Sequence, residues 1–196
     1  MTKDTKQWTF VAAIAGGLVL GAWGLVRFAP VPDGAEVGSR APDFRALDLA
    51  TGDSVSLREA YAGKVTLVNI WATWCIPCRV EMPAMEALYQ ELGPQGLRIA
   101  AVSIDEGKVE DVKAFRDDFQ LSFDILHDRS GLIEQVYQTT GVPESFLLDK
   151  DGIIVRKVIG EHPWNSPANQ RIIAQLLGVE LPADRAPAPV GKDPPH

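Results

Sequence analysis

Two cysteines, Cys75 and Cys78, are the only thiols in a chain of 196 residues, and they stand three residues apart in Trp71-Ala72-Thr73-Trp74-Cys75-Ile76-Pro77-Cys78. That spacing lets one sulfur attack a foreign disulfide and the other resolve the mixed intermediate by closing a disulfide with the first. Cys75 stands where an apolar run ends and a helix begins. There the free backbone N–H groups and the helix dipole favour a thiolate. Pro77 fits the first turn of that helix. Cys78, one turn on, faces the same way and is the shielded resolver; Cys75 is the exposed nucleophile. Other uses of paired cysteines fit less well. A zinc site needs four ligands, and His127, His162 and His196 are scattered. Haem attachment needs a histidine after the second cysteine, where Arg79 stands. A purely structural disulfide closing so short a loop stabilises little.

The elements that must hold the pair can be read from patterning. Val65 to Trp71 is an almost continuous apolar run, as in a strand buried on both faces. Cys75 to about Leu92 reads as a helix stopped by Gly93-Pro94. Leu97 to Ile104 is a second buried strand, and Val109 to Phe119 an amphipathic helix. Leu132 to Tyr137 is a short helix. Phe146 to Leu148 and Ile153 to Ile159 are strands joined by the turn Asp149-Lys150-Asp151-Gly152. Pro167 to Leu177 closes as a helix ending at Gly178. Near the start, Ala41-Pro42-Asp43-Phe44 opens a short strand that Thr51-Gly52-Asp53 returns toward Val55–Leu57. The alternation implies an α/β domain: a central mixed sheet, helices on both faces and an extra N-terminal β-hairpin.

The flanks differ from this middle. Gln7 to Val26 carries no charge, and about 20 helical residues span roughly 30 Å, the thickness of a bilayer core. We expect residues 1–28 to form a cytoplasmic stub and transmembrane anchor. An uncleaved anchor is favoured over a cleaved signal, because the run is long and no small-residue cleavage site follows it. Lys3 and Lys6 before the span outweigh Arg27 after it, so the remainder should lie on the extracytoplasmic, periplasmic side of the cytoplasmic membrane. Residues 29–39 read as a linker, 40–178 as the folded domain and 179–196 as a Pro-rich, disordered tail. A net charge of −7 argues against a nucleic-acid partner.

The middle of the chain resembles the thioredoxin-like, membrane-anchored thiol–disulfide oxidoreductases of the TlpA/ResA group, close to the cytochrome c maturation thioredoxins. The resemblance covers about residues 38–178. It rests on the APDF entry with its hairpin, LVNIWATWCIPC, Pro83 five residues past Cys78, the segment Gly-Val-Pro-Glu-Ser-Phe-Leu-Leu-Asp from Gly141, and the DKDG hairpin. The resemblance implies that Val142-Pro143 is a cis bond beside Cys75. The Val142 backbone and Trp74 would then receive a peptide, by strand addition at Val142. Cytoplasmic thioredoxins carry a buried aspartate six residues before the first cysteine; here Asn69, which cannot take a proton, replaces it. Glu81, one turn after Cys78, is the expected proton acceptor, as the resembling family carries a glutamate there. Glu144, beside Pro143, is a second candidate, with a place in substrate binding.

The implied activity is reduction of disulfides in a protein substrate, such as apocytochrome c or its handling protein. A membrane electron donor of the CcdA/DsbD type is the implied partner. No metal or other cofactor is implied, and a monomer is expected. Two alternatives remain: a disulfide oxidase or isomerase for secreted proteins, and a non-catalytic anchored binding module. A peroxidase shares the APDF opening but needs Thr three residues before its reactive cysteine, where this chain has Ala72.

Overall fold

The computed structural model describes residues 14–18, 20, 21, 23 and 34–181. The chain divides into two units, Met1–Asp33 and Gly34–His196. In the first, the described residues are helical. Most of the expected span Gln7–Val26 lies outside the described residues, and among those described no helix is long and apolar enough to cross a membrane. The expected tail lies outside them from residue 182 onward.

The second unit is built on one seven-stranded mixed sheet. Its elements in chain order are β1 (Arg45–Asp48), β2 (Ser54–Ser56), α1 (Leu57–Ala60), β3 (Thr66–Trp71), α2 (Ile76–Leu92), β4 (Arg98–Ser103), α3 (Val109–Asp118), β5 (Asp124–His127), α4 (Leu132–Tyr137), β6 (Glu144–Leu148), β7 (Ile154–Ile159) and α5 (Pro167–Leu177). The strand order is β2-β1-β5-β4-β3-β6-β7. β3 is central: it pairs in parallel with β4 and antiparallel with β6. All six of its residues are buried, so both faces of the strand are covered, as its unbroken apolar pattern requires. The parallel pairs β3/β4 and β4/β5 need crossovers, and α2 and α3 supply them. The antiparallel pair β6/β7 needs only the Asp149–Gly152 turn. There the Asp149 carboxylate accepts from the N–H groups of Asp151 and Ile153, and Gly152 takes the left-handed conformation.

Three features depart from the sequence reading. β5 is absent from that reading, because its four residues DILH are too few for a pattern; its burial comes from lying between β4 and β1. The returning strand of the hairpin ends at Ser56, whose hydroxyl caps the single turn α1 through the Glu59 N–H. The expected linker does not reach Ser39 as a free tether. Residues 34–39 are fastened to β7: Gly38 N–H donates to the Ile154 carbonyl (2.8 Å) and Ile154 N–H to the Ser39 carbonyl (2.9 Å). Ala35 is fully buried. Backbone pairing with the sheet edge outweighs the turn-rich composition that suggests a tether.

Candidate active site

Cys75 is the N-cap of α2, and its sulfur accepts from the Cys78 N–H at 3.2 Å. The two sulfurs are joined in a disulfide. Cys75, expected to be exposed, keeps only 4% of its surface open, whereas Cys78 is fully buried, as a shielded sulfur should be. The order of the two is as the helix start dictates, with the outer sulfur at the free N–H groups and the inner one packed below. Trp74 and Ile76 flank Cys75 and are exposed, and Val80 continues that surface one turn on.

The loop that carries Trp74 is fixed by a residue that the sequence reading misses. The Asp105 carboxylate accepts from the Thr73 N–H (3.0 Å) and the Thr73 hydroxyl (2.6 Å), and also from the Ser103 hydroxyl (2.7 Å). Asp105 lies two residues past the end of β4, next to the strand that feeds the cysteines. An acidic residue at the carboxyl end of a buried parallel strand is the available signal.

Glu81 lies on the buried face of α2, one turn past Cys78. One of its carboxylate oxygens accepts from the Asn69 side-chain amide at 2.7 Å; the other accepts from the His162 backbone N–H at 3.2 Å. Asn69 Nδ2 also donates to the Ser145 hydroxyl. No cation pairs with Glu81 among the described residues. Burial therefore pushes its pKa from 4.5 up to about 7. The Asn69 and His162 hydrogen bonds and the nearby Trp164 indole oppose the rise, and the Glu161 charge adds to it. A carboxyl group so placed exchanges a proton near neutral pH.

Val142-Pro143 is cis. The register pairs Ile70 with Glu144, so Pro143 lies just past the end of β3 that leads into Cys75. The Pro143 carbonyl accepts from the Gly160 N–H, whereas the Val142 backbone makes no hydrogen bond among the described residues. Ile159, exposed and paired opposite Glu144, adds an apolar side chain at this end of the sheet. The sequence reading does not single it out.

Glu144 does not join this surface. It is fully buried; one oxygen lies 3.3 Å from Lys157 Nζ and the other accepts the Thr140 N–H at 3.1 Å. Lys157 also reaches Glu36, at 3.1 Å. Partial burial pushes the Lys157 pKa down, but the Glu36 and Glu144 carboxylates outweigh it and hold the ammonium above its ordinary value. A residue expected to touch substrate is thus closed off by an ion pair. Among the described residues no group of three or more His, Cys, Asp or Glu could hold a metal ion.

Residues 37–157 match the AhpC/TSA family. The chain belongs to that family. It is also 38% identical over 126 residues to the thiol-disulfide oxidoreductase ResA of Bacillus thuringiensis subsp. konkukian, across 64% of this chain and 71% of that one. The thioredoxin-like protein YneN of Bacillus subtilis is 42% identical over 123 residues, 62% of this chain and 70% of the relative. Among solved structures, the thioredoxin domain of a thiol-disulfide oxidoreductase from Bacteroides vulgatus superposes with a TM-score of 0.63 at 27% identity, over 72% of this chain and 98% of that one. The fold is thioredoxin-like, and this member of the AhpC/TSA family is a thiol–disulfide oxidoreductase.

Proposed function

We propose that the chain reduces protein disulfides on the extracytoplasmic side of a membrane, held there by residues 7–26. The observation that carries the reading is a buried, cation-free Glu81 one turn from the enclosed Cys78. In the reduced protein the Cys75 thiolate attacks one sulfur of the substrate disulfide. A Cys75–substrate disulfide forms and the other substrate sulfur leaves as a thiolate. Glu81 takes the Cys78 proton, and the Cys78 thiolate attacks the Cys75 sulfur. The second substrate thiolate leaves, and both substrate thiolates are protonated from Glu81 and water. Two electrons have passed to the substrate, and the Cys75–Cys78 disulfide of the structure is the product state. The exposed Trp74 and the unpaired Val142 backbone, beside Pro143, would receive the substrate chain.

In the oxidising compartment this cycle needs electrons from the cytoplasm, and a membrane carrier of the CcdA/DsbD type would supply them. The names of the relatives support thiol–disulfide chemistry. Apocytochrome c, or a protein that handles it, is the substrate we propose, with an oxidase or isomerase of secreted proteins as the competing reading. Trapping in cells separates them. Cys78→Ala removes the resolving attack, so covalent adducts should accumulate through Cys75, while Cys75→Ala should give few. Adducts with apocytochrome c or a membrane electron carrier support the reductase. A broad set of secreted proteins, together with a strongly oxidising measured potential, would overturn it. A C-terminal reporter that works only in the cytoplasm should stay silent; an active one would reverse the orientation.

A further inference from the structure

One irregular segment touches both halves of the site. Residues 160–166, between β7 and α5, donate the Gly160 N–H to the Pro143 carbonyl at 2.8 Å and the His162 N–H to Glu81 at 3.2 Å. The segment has no strand or helix of its own, so something else must fix its shape. The buried Asn169, in the first turn of α5, does so. Its amide donates to the Pro163 carbonyl at 2.8 Å. Its oxygen accepts from Arg156 at 2.7 Å and lies 3.4 Å from His162 Nε2. The fully buried Trp164 packs edge-on to the His162 ring at 4.8 Å.

We propose that the β7–α5 loop is the positioning element for the Glu81 carboxylate, with Asn169 as the side chain that fastens it. Because the same loop holds the Pro143 carbonyl, it ties the proton-exchanging group to the segment beside which substrate would bind. The proposal rests on the reading of Glu81 as proton acceptor for its relevance to catalysis, but not for its geometry. The groups that face Glu81 are few. Its own helix offers Cys78, held in the disulfide. β3 offers the uncharged Asn69. The loop offers the His162 backbone N–H, the Trp164 indole and the Glu161 charge; the His162 ring itself sits against Trp164 and Asn169, and β7 reaches the loop through Arg156, which donates to Asn169. Glu161 is exposed. Its charge disfavours a second negative charge on Glu81, and loss of the His162 N–H would do the same.

The test is proton NMR of the oxidised full-length chain as a function of pH. A backbone N–H that donates to a carboxylate shifts when that carboxylate gains its proton, so the His162 amide should show a step near neutral pH. Glu81→Gln should abolish the step, which assigns it. Asn169→Ala should remove at least half of the His162 step, while the Asn69 side-chain amide still follows Glu81. Asn169→Asp keeps the acceptor for Arg156 and loses the donor to Pro163; it serves where Asn169→Ala does not fold, and should weaken the step less. Glu161→Gln should leave the bond intact and move the step to lower pH, by up to about one unit at low salt and less at high salt. A His162 amide that does not titrate in the wild type, or that titrates unchanged in both Asn169 variants, overturns the proposal. If the His162 results hold but Glu81→Gln leaves the rate and pH profile of disulfide exchange unchanged, the positioning stands and the proton-acceptor reading falls.

Discussion

Glu81 and Glu144 are both glutamates, both buried, and both near the end of the sheet that carries the cysteines. Their burial is compensated in opposite ways. Glu144 has a cation, Lys157, and a backbone N–H from Thr140. Among the described residues Glu81 has neutral donors alone, chiefly the Asn69 amide and the His162 backbone. A charge removed from water needs a counter-charge or gives up its charge. Glu144 takes the first course and becomes part of the framework. Glu81 takes the second, and its affinity for a proton lands near neutral pH. Side-chain type does not separate a structural carboxylate from a reactive one; the neighbours do.

The largest break in this contrast should come from Lys157→Met. It strips Glu144 of its cation and leaves a fully buried carboxylate with a single N–H. Removing one partner of a buried pair costs about 3–5 kcal/mol, and the partial exposure of Lys157 favours the lower end. Urea denaturation at neutral pH should show a loss of about 3 kcal/mol. Exchange by the surviving folded protein should keep its wild-type pH profile, because Lys157 does not touch Glu81. Wild-type stability in this variant would mean that water already screens Glu144.

A second, smaller effect belongs to Glu81. Its folded pKa, about 7, lies above the ordinary 4.5, so the native state holds a proton that the unfolded chain releases. The stability linked to this proton is full below about pH 4.5 and is lost as pH rises to and through about 7. The rise from 4.5 to about 7 corresponds to about 3 kcal/mol, and solvent relaxation around a buried group reduces that to about 2 kcal/mol. The stability difference between wild type and Glu81→Gln should therefore shift against the wild type between about pH 5 and pH 8, and be flat above about pH 8. The same substitution should slow disulfide exchange by about a hundredfold near neutral pH, the lower end of a general acid–base contribution. A stability difference that does not vary with pH would place the Glu81 pKa near its ordinary value.

How much is legible in the sequence follows the same division. The apolar run before Trp71 and the helix after Cys75 are dictated by local pattern, and β3 and α2 lie where that pattern puts them. The place of Glu81 can be read because it is one turn from Cys78 on one helix. Its donors cannot be read fully. Asn69 is visible as a departure in the strand, but the His162 N–H comes from a loop 81 residues away and has no side-chain signature. Glu144 reads as a second candidate for the site because it stands beside Pro143, where the resemblance places the substrate chain. Its partner Lys157 sits on the adjoining strand in a register that only the β6–β7 pairing reveals. β5 escapes for a similar reason: four residues are too short for a pattern, and its neighbours in the sheet are remote in sequence.

The smallest effect should come from Glu144→Gln, and it sharpens the contrast most. The substituted side chain keeps an acceptor for the Thr140 N–H and nearly the same shape. Lys157 loses one carboxylate but keeps Glu36, at 3.1 Å, and its own partial exposure. Only a charge-assisted contact disappears, and no charge is left buried without a partner, so the loss should be about 1 kcal/mol. Exchange rates should stay within about twofold of wild type at every pH, since a general acid–base group would contribute about a hundredfold or more. Combining Glu144→Gln with Lys157→Met tests the cause. If the cost of Lys157→Met is an orphaned carboxylate, the second substitution removes that cost, and the double variant should be more stable than Lys157→Met alone by about 2 kcal/mol. If the double variant is as unstable as the sum of the two, Lys157 supports the fold through its packing over Phe146, where its ammonium lies 5.5 Å from the ring centre, rather than through charge. Glu144 would then be a buried carboxylate held without its cation, and the distinction from Glu81 would have to rest on the hydrogen bonds alone.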